Sequence, residues 1–270
     1  MSWIPSVAWT AYVKRLAALN NRAAEEMRRY ITERGFEDTE ALITYAYGLS
    51  TKYGEGAAAL AAEMYDEIAA LEGKLLPAAI PADTATLSET AAAVKKVLTK
   101  SRTEEMLSAA VGRLVKRAGA DTTLKNAVRD GAQFAWVPMG DTCAFCITLA
   151  SNGWQRAGKK TLNQNHAPHI HANCDCTYAV RFSETTQVRG YDPDKYRAMY
   201  ENAPLDHWNT PDGKPPEGHA SAEKPTAMNR IKAMRRELYA ENKDKINEQK
   251  RSAYAKRVEL NSPAAEEADV

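Results

Sequence analysis

Apolar side chains recur at steps of three and four residues through most of the first 130 residues, and this spacing constrains the fold more than any other feature. Such spacing is typical of helices that bury one face. The first of these stretches covers residues 6–30, and its end is predicted at Gly35. Its apolar stripe consists of Trp9, Tyr12, Val13, Leu16, Leu19, Ala23, Met27 and Tyr30. We interpret that stripe as core rather than as a cofactor site.

The same spacing returns in residues 42–53 and again in residues 60–71. Gly54 and Gly56 lie between these two stretches, so we predict a break in the helix there. Residues 1–130 are therefore expected to form an antiparallel helical bundle or a set of paired helical hairpins.

Capping residues predict where the later helices of this region begin. Thr84 or Thr86 is suited to cap a helix that carries Leu87, Ala91, Val94 and Leu98. Ser101 or Thr103 is suited to cap the next one, because Glu104 and Glu105 would complement the helix dipole in its first turn. A further helix is expected to begin at Asp121 or Thr122 and to end near Gly131.

The pattern changes at residue 131, where a small α+β module is predicted over residues 131–190. The stretch "FAWVP" alternates apolar and small residues and ends at a proline, which indicates a short strand. The stretch "CTYAVRF" alternates in the same way. We expect Trp136 and Val137 to pair with Tyr178 and Val180 in a small hairpin or sheet.

The remaining residues are predicted to form a linker and a basic helix. Residues 191–225 contain a short helix, starting at the Asp-Pro pair of "YDPDKYRAMYENA", and then a proline-rich linker. Residues 226–257 are expected to form one helix. Eleven Lys and Arg against four Asp and Glu over residues 224–257 give this region a charge of +7. The acidic stretch 258–270 is predicted to be disordered.

All four cysteines of the chain lie in the window 143–176, which indicates a metal site. Zinc in structural sites takes four donors in a tetrahedral arrangement, usually thiolate and imidazole. Cys143 and Cys146 form a CxxC pair, whereas Cys174 and Cys176 would point to the same face of an extended segment, with His171 one short turn earlier. We predict that Zn²⁺ is held by Cys143, Cys146 and two of His171, Cys174 and Cys176. The residues leave open which of these three is outside the site.

Three other uses of the cysteines are less consistent with the sequence. A CxxC redox couple is typical of a strand and helix setting, and no βαβ pattern precedes Cys143. Two disulfides would indicate a secreted chain, but the stretch "MSWIPSVAWTAYVKRL" lacks the pattern of a signal peptide. A nucleophilic Cys–His pair would leave three thiols unexplained.

His166 and His169 raise a catalytic alternative. The stretch "NHAPHIH" is similar to the His-centred metal site of HNH nucleases, in which one His activates water and others hold the ion. The simpler interpretation places these residues in a loop near a structural zinc. Because the sequence also lacks GxSxG, HExxH and GxxxxGK[ST], we expect a protein that is not an enzyme.

The overall charge gives no reason to expect binding to a membrane or to nucleic acid by the whole chain. The formal charge is +1, and no apolar run approaches the 18 residues of a membrane span. We expect a protein that folds in the cytosol, with any DNA contact confined to the basic helix.

Residues 120–200 resemble the minor head proteins of tailed bacteriophages, the Mu F-like or head morphogenesis group. The resemblance is carried by "NAVRDGAQFAWVPMGDTCAFCITLASNGW", "HIHANCDCTYAVRF" and "GYDPDKYRAMY". In that group a CxxC is followed by Leu-Ala-Ser, a loop and then H-x-x-C-x-C near a strand. One departure from the pattern of that group is "ASNGW", where relatives often have Arg before the Gly.

This resemblance implies a structural or assembly role in a phage head. It implies a minor capsid protein that is associated with the portal, binds the portal protein or the major capsid protein and lies inside the virion after assembly in the host cytoplasm. The +7 helix would suit a contact with packaged DNA, which we expect to be nonspecific and salt-dependent.

Overall fold

The computed structural model describes residues 2–4, 6–139, 144–158 and 176–202, and three further helical residues, Met234, Ala240 and Glu248. The described elements are β1 (Ser2–Ile4), α1 (Ser6–Arg34), α2 (Thr39–Leu71), α3 (Leu87–Lys100), α4 (Glu104–Asp130), β2 (Gln133–Val137), α5 (Ala144–Ala150), β3 (Gln155–Arg156), β4 (Thr177–Arg181), β5 (Thr186–Val188) and α6 (Pro193–Glu201). The expectation of a mainly α fold is confirmed.

Long helices form the larger part of the fold. The helices α1, α2 and α4 pack against one another, and α3 packs against α2 and α4. Helix α1 ends as predicted before Gly35, whose φ of +74° suits glycine. Of its predicted stripe, Trp9, Tyr12, Ala23 and Met27 are fully buried. The bundle predicted for this region is therefore present.

The predicted break at Gly54 and Gly56 is wrong, because α2 runs unbroken through both residues. A Cβ atom at Gly54 would lie 3.0 Å from Cγ2 of Thr84, and one at Gly56 would lie 3.3 Å from Cδ1 of Leu19. These glycines thus allow close packing of α2 against the 74–86 segment and α1. Their role is in packing. The tertiary contacts outweigh the low helix propensity of glycine.

The predicted helix start at Asp121 or Thr122 is also wrong, since both residues lie inside α4. The hydroxyl of Thr122 donates to the carbonyl of Ala118 within the helix and accepts a hydrogen bond from Ala82 N. Asp121 forms an ion pair with Arg117 at 3.2 Å. Asp121 therefore pairs within α4, and Thr122 forms hydrogen bonds both within α4 and with the segment that precedes α3. Helix α4 does end at the predicted Gly131, with a φ of +66°.

The caps of α3 and α4 follow the sequence expectation. Thr86 is the N-cap of α3: its hydroxyl oxygen accepts from Glu89 N, and the Glu89 carboxylate accepts from Thr86 N, which completes a capping box. Thr103 is the N-cap of α4 and accepts from Met106 N. Asp192 is the N-cap of α6, with Pro193 in its first turn.

A three-stranded sheet in the order β3-β2-β4 follows the bundle. Strands β2 and β4 are antiparallel, with Phe134 opposite Val180 and Trp136 opposite Tyr178. The predicted pairing of these two segments is confirmed. The rings of Trp136 and Tyr178 meet edge to face with their centroids 4.7 Å apart.

A second, parallel pair of strands was not predicted. Strand β1 pairs with β5 in the register Ser2–Thr186, Trp3–Gln187 and Ile4–Val188. Ile4 and Val188 are both fully buried. Three residues are too few for a periodic signal, so the sequence pattern could not reveal this pairing.

The bundle and the small sheet share one apolar core. This core contains residues of α1, α2 and α4 together with residues of β2, α5, β4 and β5. The rings of Tyr65 and Phe182 meet edge to face across it, and the carboxylate of Glu72 accepts from Phe182 N at 3.1 Å. The sheet is therefore held against the helices by apolar contacts and by hydrogen bonds.

The predicted linker, basic helix and acidic tail lie outside the described residues, apart from three positions. Met234, Ala240 and Glu248 are helical, and the side chain of Met234 is buried.

Candidate functional site

The sheet brings the two cysteine-bearing segments to one place. Val137 pairs with Thr177 at the end of the β2–β4 ladder. In an antiparallel pair, the residues after β2 and the residues before β4 leave the sheet at the same end. The first of these segments leads to Cys146, and the second ends in Cys176. Met139, after β2, and Cys176, before β4, therefore lie at the same end of the sheet.

Cys146 and Cys176 are the two predicted ligands that the structure describes. Their exposures are 1% and 8%, both are thiols, and both belong to the core that the sheet shares with the bundle. Cys143, His171 and Cys174 lie outside the described residues. Within the described ranges, no cluster of three His, Cys, Asp or Glu residues could hold a metal. The zinc site therefore stays a prediction.

Helix α6 packs against α5, which carries Cys146. The hydroxyl of Tyr191, just before α6, donates to the carbonyl of Ala150 at 2.9 Å. Burial raises the pKa of Tyr191 above its ordinary value, so the hydroxyl keeps its proton. Burial also raises the pKa of Tyr196. The Tyr191 hydrogen bond thus connects the segment before α6 with the end of the helix that carries Cys146.

Arg181, in β4, was not singled out from the sequence. Its guanidinium donates to Gln133 Oε1 at 2.8 Å and to the carbonyls of Glu184 and Thr186 at 3.0 and 3.2 Å. It also lies over the ring of Trp154 at 4.5 Å. Burial lowers the pKa of Arg181, but not enough for the guanidinium to lose its charge. The only sequence signal was an arginine in an otherwise apolar strand.

A groove between α1 and α4 is a feature that sequence reasoning missed. Two cavities of about 240 Å³ and about 460 Å³ share Ala17, Asn20 and Lys116 in their walls, and we call the two together the α1–α4 groove. The smaller cavity has mostly apolar walls and ends against Trp136 and Cys176. The groove therefore reaches the edge of the sheet where the cysteine segments meet.

A polar group lies in the wall of this groove without a partner. Among the residues that the structure describes, the side-chain oxygen Oδ1 of Asn20 is buried without a hydrogen-bond partner, and the same is true of Nε1 of Trp136. Asn20 is 6% exposed and lines both cavities. An unpaired buried oxygen costs about 1–3 kcal/mol, so its presence requires an explanation. The sequence signal was Asn20, the first of two Asn residues between Leu19 and Ala23 of the apolar stripe.

Comparison with family models gives a match to VG15 protein over residues 4–203. The chain belongs to the VG15 protein family. The match covers the bundle, the three-stranded sheet, β5 and α6, and it begins at the last residue of β1. Membership in this viral family makes the chain a phage protein, which agrees at this level with the resemblance seen in the sequence. Comparison with curated proteins and with solved structures found no match.

The two remaining sequence expectations concern catalysis and membranes. His166 and His169, on which the nuclease alternative depends, lie outside the described residues. In the described part of the chain, no helix combines the length and the apolar character that crossing a membrane requires.

Proposed function

We propose that this phage protein is a non-enzymatic minor capsid protein, associated with the portal and enclosed in the phage head. The observation that carries this proposal is the viral family match over residues 4–203. Within that range lie the CxxC and H-x-x-C-x-C motifs that resemble the head morphogenesis group. Fold and family together support a phage structural protein, and the motifs add the placement in the head.

The described structure suits an assembly role. The bundle and the sheets share one core, so the chain can present several helix faces as one body to the portal protein or the major capsid protein. The zinc site would join two segments at the edge of the sheet and would hold that edge in shape. The +7 region 224–257 would bind packaged DNA through its phosphates.

A phage with a stop codon early in this gene tests the proposal. Purified wild-type heads should contain a low, constant copy number of the chain by quantitative mass spectrometry. The mutant phage should give fewer infectious particles, and the wild-type gene supplied in trans should restore them. Heads that lack the chain in wild-type phage would contradict the proposal.

A nicking assay on supercoiled plasmid with added Mg²⁺ or Mn²⁺ tests the enzymatic alternative. We expect no cleavage by the full chain. Cleavage that disappears when His166, His169 and His171 are all replaced by Ala would replace the structural proposal by the nuclease one.

A further inference from the structure

We propose that the α1–α4 groove is the docking site for an amphipathic, acidic helix of another structural protein of the same phage. This inference rests on the proposed function, because it names the partner surface of an assembly protein. It goes beyond that function in assigning the surface to particular residues and the partner to a chemical class.

The dimensions of the groove fit a helix. Its α1 wall extends from Lys14 to Arg28, which corresponds to about 20 Å along the helix axis at 1.5 Å per residue. Small residues, among them Ala24, Ala109 and Gly112, line the middle of the groove. A third helix could therefore approach the α1 and α4 backbones closely, as in the helix-in-groove mode of recognition.

The apolar end of the groove fits a large anchoring side chain. The cavity of about 240 Å³ has apolar walls that include Val13, Leu16 and the ring of Trp136. One Leu, Met or aromatic side chain of the partner would fill it. Such buried anchors supply much of the affinity in protein interfaces.

The unpaired polar atoms in the wall provide an observation that is independent of shape. The Asn20 oxygen is an acceptor and the Trp136 indole N–H is a donor, and both are buried with no partner in the described part of the chain. A polar side chain of the docked helix could satisfy one or both after a small rotation. This pairing would explain why Asn20 is found in an otherwise apolar stripe.

The charges around the groove select an acidic partner. Three basic residues line it, Lys14, Arg28 and Lys116, against the acidic Glu105, and Arg28 also forms an ion pair with Glu104 at 3.4 Å. The basic region 224–257 of the same chain would be repelled by these charges. Acidic residues at the edges of an incoming apolar helix would instead lie near Lys14, whose side chain is exposed.

Peptide binding to the full chain tests the inference. Fluorescein-labelled 20-residue peptides would tile the structural proteins of the phage and the chain itself, including residues 258–270. Fluorescence anisotropy would measure the Kd of each peptide for the wild-type protein and for the variants. We expect at least one peptide from another protein to bind saturably, to carry net negative charge and to have apolar residues at helical spacing.

Two variants locate the binding. Ala109→Trp fills the groove and Lys14→Glu reverses its charge, so each should weaken binding of that peptide at least tenfold. The matched controls, Ala59→Trp and Lys96→Glu, alter exposed positions on α2 and α3 and should stay within twofold of wild type. Circular dichroism melts would show that each variant is folded. If Ala109→Trp is unfolded, Lys14→Glu alone decides.

Three outcomes would overturn the inference. The first is that no peptide from another protein binds. The second is that both groove variants leave the affinity unchanged. The third is that only peptides of this chain bind, which would assign the groove to its own tail or to a second copy. If the peptide experiment contradicts the inference but phage heads still contain the chain, the proposed function is unaffected. Conversely, a groove that binds an acidic helix in a chain absent from heads would remove only the proposed function.

Discussion

Arg181 introduces a full positive charge into the edge of the core, at 8% exposure. The charge is tolerated because the guanidinium is satisfied by a side-chain oxygen, two carbonyls and the face of Trp154. These partners connect β4 with β2 and with the segment that leads into β5. A single side chain thus joins the antiparallel sheet to the parallel strand pair.

Arg181→Lys should lower the free energy of unfolding by about 2 kcal/mol or more, because an ammonium group cannot reach several fixed acceptors at once. Urea unfolding followed by circular dichroism would measure the change. Arg189→Lys is the matched control, since Arg189 is exposed in the same region, and it should have no measurable effect. Equal effects of the two substitutions would show that the stability of the fold does not depend on the planar geometry of the Arg181 guanidinium.

Asp130 makes the stability of the fold sensitive to acid. Its side chain is 5% exposed, and it accepts from Arg129 at 2.7 Å and from the hydroxyl of Tyr65 at 2.8 Å. The hydrogen bonds from Arg129 are the main reason that the pKa of Asp130 lies below its ordinary value of 3.8. The stabilisation is therefore fully present above pH 3.8 and is lost as the pH falls through the lower folded pKa.

Asp130→Asn should lower stability at pH 7 and should make the decline below about pH 4 shallower than in wild type. Urea midpoints between pH 2.5 and pH 7 would show both effects. Asp83→Asn serves as control, because the Asp83 side chain is fully exposed, and its curve should follow that of wild type. An acid decline of unchanged slope in the Asp130 variant would assign the acid sensitivity to other groups.

Zinc content tests the prediction for the cysteine window. Purified protein in reducing buffer should contain about one zinc per chain by inductively coupled plasma mass spectrometry. Single Ser variants of Cys143 and Cys146 should lose it, and among His171→Ala, Cys174→Ser and Cys176→Ser one variant should retain it, because the site needs only four donors. His207→Gln, outside the window, is the control. Wild-type protein without zinc would show that the prediction is wrong.

At the scale of elements, glycines inside helices have two different environments. A Cβ atom at Gly48 would meet no atom of the described residues within 4 Å, whereas one at Gly119 would lie 3.2 Å from the backbone carbonyl oxygen of Ala57. Gly119 therefore allows α4 to approach the backbone of α2. Gly48 has no such packing role.

Gly48→Ala should raise the free energy of unfolding by about 0.5–1 kcal/mol, because alanine loses less backbone entropy in a helix. Gly119→Ala gains the same propensity but must separate α2 from α4, and overpacking of this kind costs about 1–3 kcal/mol. The two variants should thus shift the urea midpoint in opposite directions. If Gly119→Ala instead raises the free energy of unfolding, α2 and α4 can move apart at little cost in free energy.

The accuracy of sequence reasoning differed between local and tertiary signals. Asp192 was found correctly, and Thr86 and Thr103 were each one of the two caps predicted, because a cap acts within its own helix turn. Gly54, Asp121 and Thr122 were misinterpreted because their roles depend on other residues of the fold. Gly54 packs against Thr84, Asp121 pairs with Arg117 of its own helix, and Thr122 accepts a hydrogen bond from Ala82 N. The α1–α4 groove could not be foreseen, since a groove depends on how two helices approach.

For the whole molecule, the shared core predicts cooperative unfolding. Val180 of β4 is fully buried in the core that also contains Tyr65 and Leu124 of the bundle. Val180→Ala should lower stability by about 2 kcal/mol, from lost apolar burial and an added cavity.

Hydrogen exchange would show whether the bundle and the sheet lose the same stability in the Val180→Ala variant. Slowly exchanging amides of α2 and α4 should lose the same free energy of protection as those of β4 if the unit opens globally. Thr185→Ala, at an exposed turn, is the control and should change none of them. A loss confined to β2 and β4 would show that the sheet unfolds independently of the bundle.

The pairing of β1 with β5 also sets an order of events during protein synthesis. Ile4 cannot meet Val188 until the intervening residues have left the ribosome, which takes about 10–40 seconds at about 5–20 residues per second. The long helices of the bundle are complete well before that time. Translation therefore leaves the apolar side chain of Ile4 uncovered while α1 to α4 can already assemble, and the parallel pair closes the fold as one of its last steps.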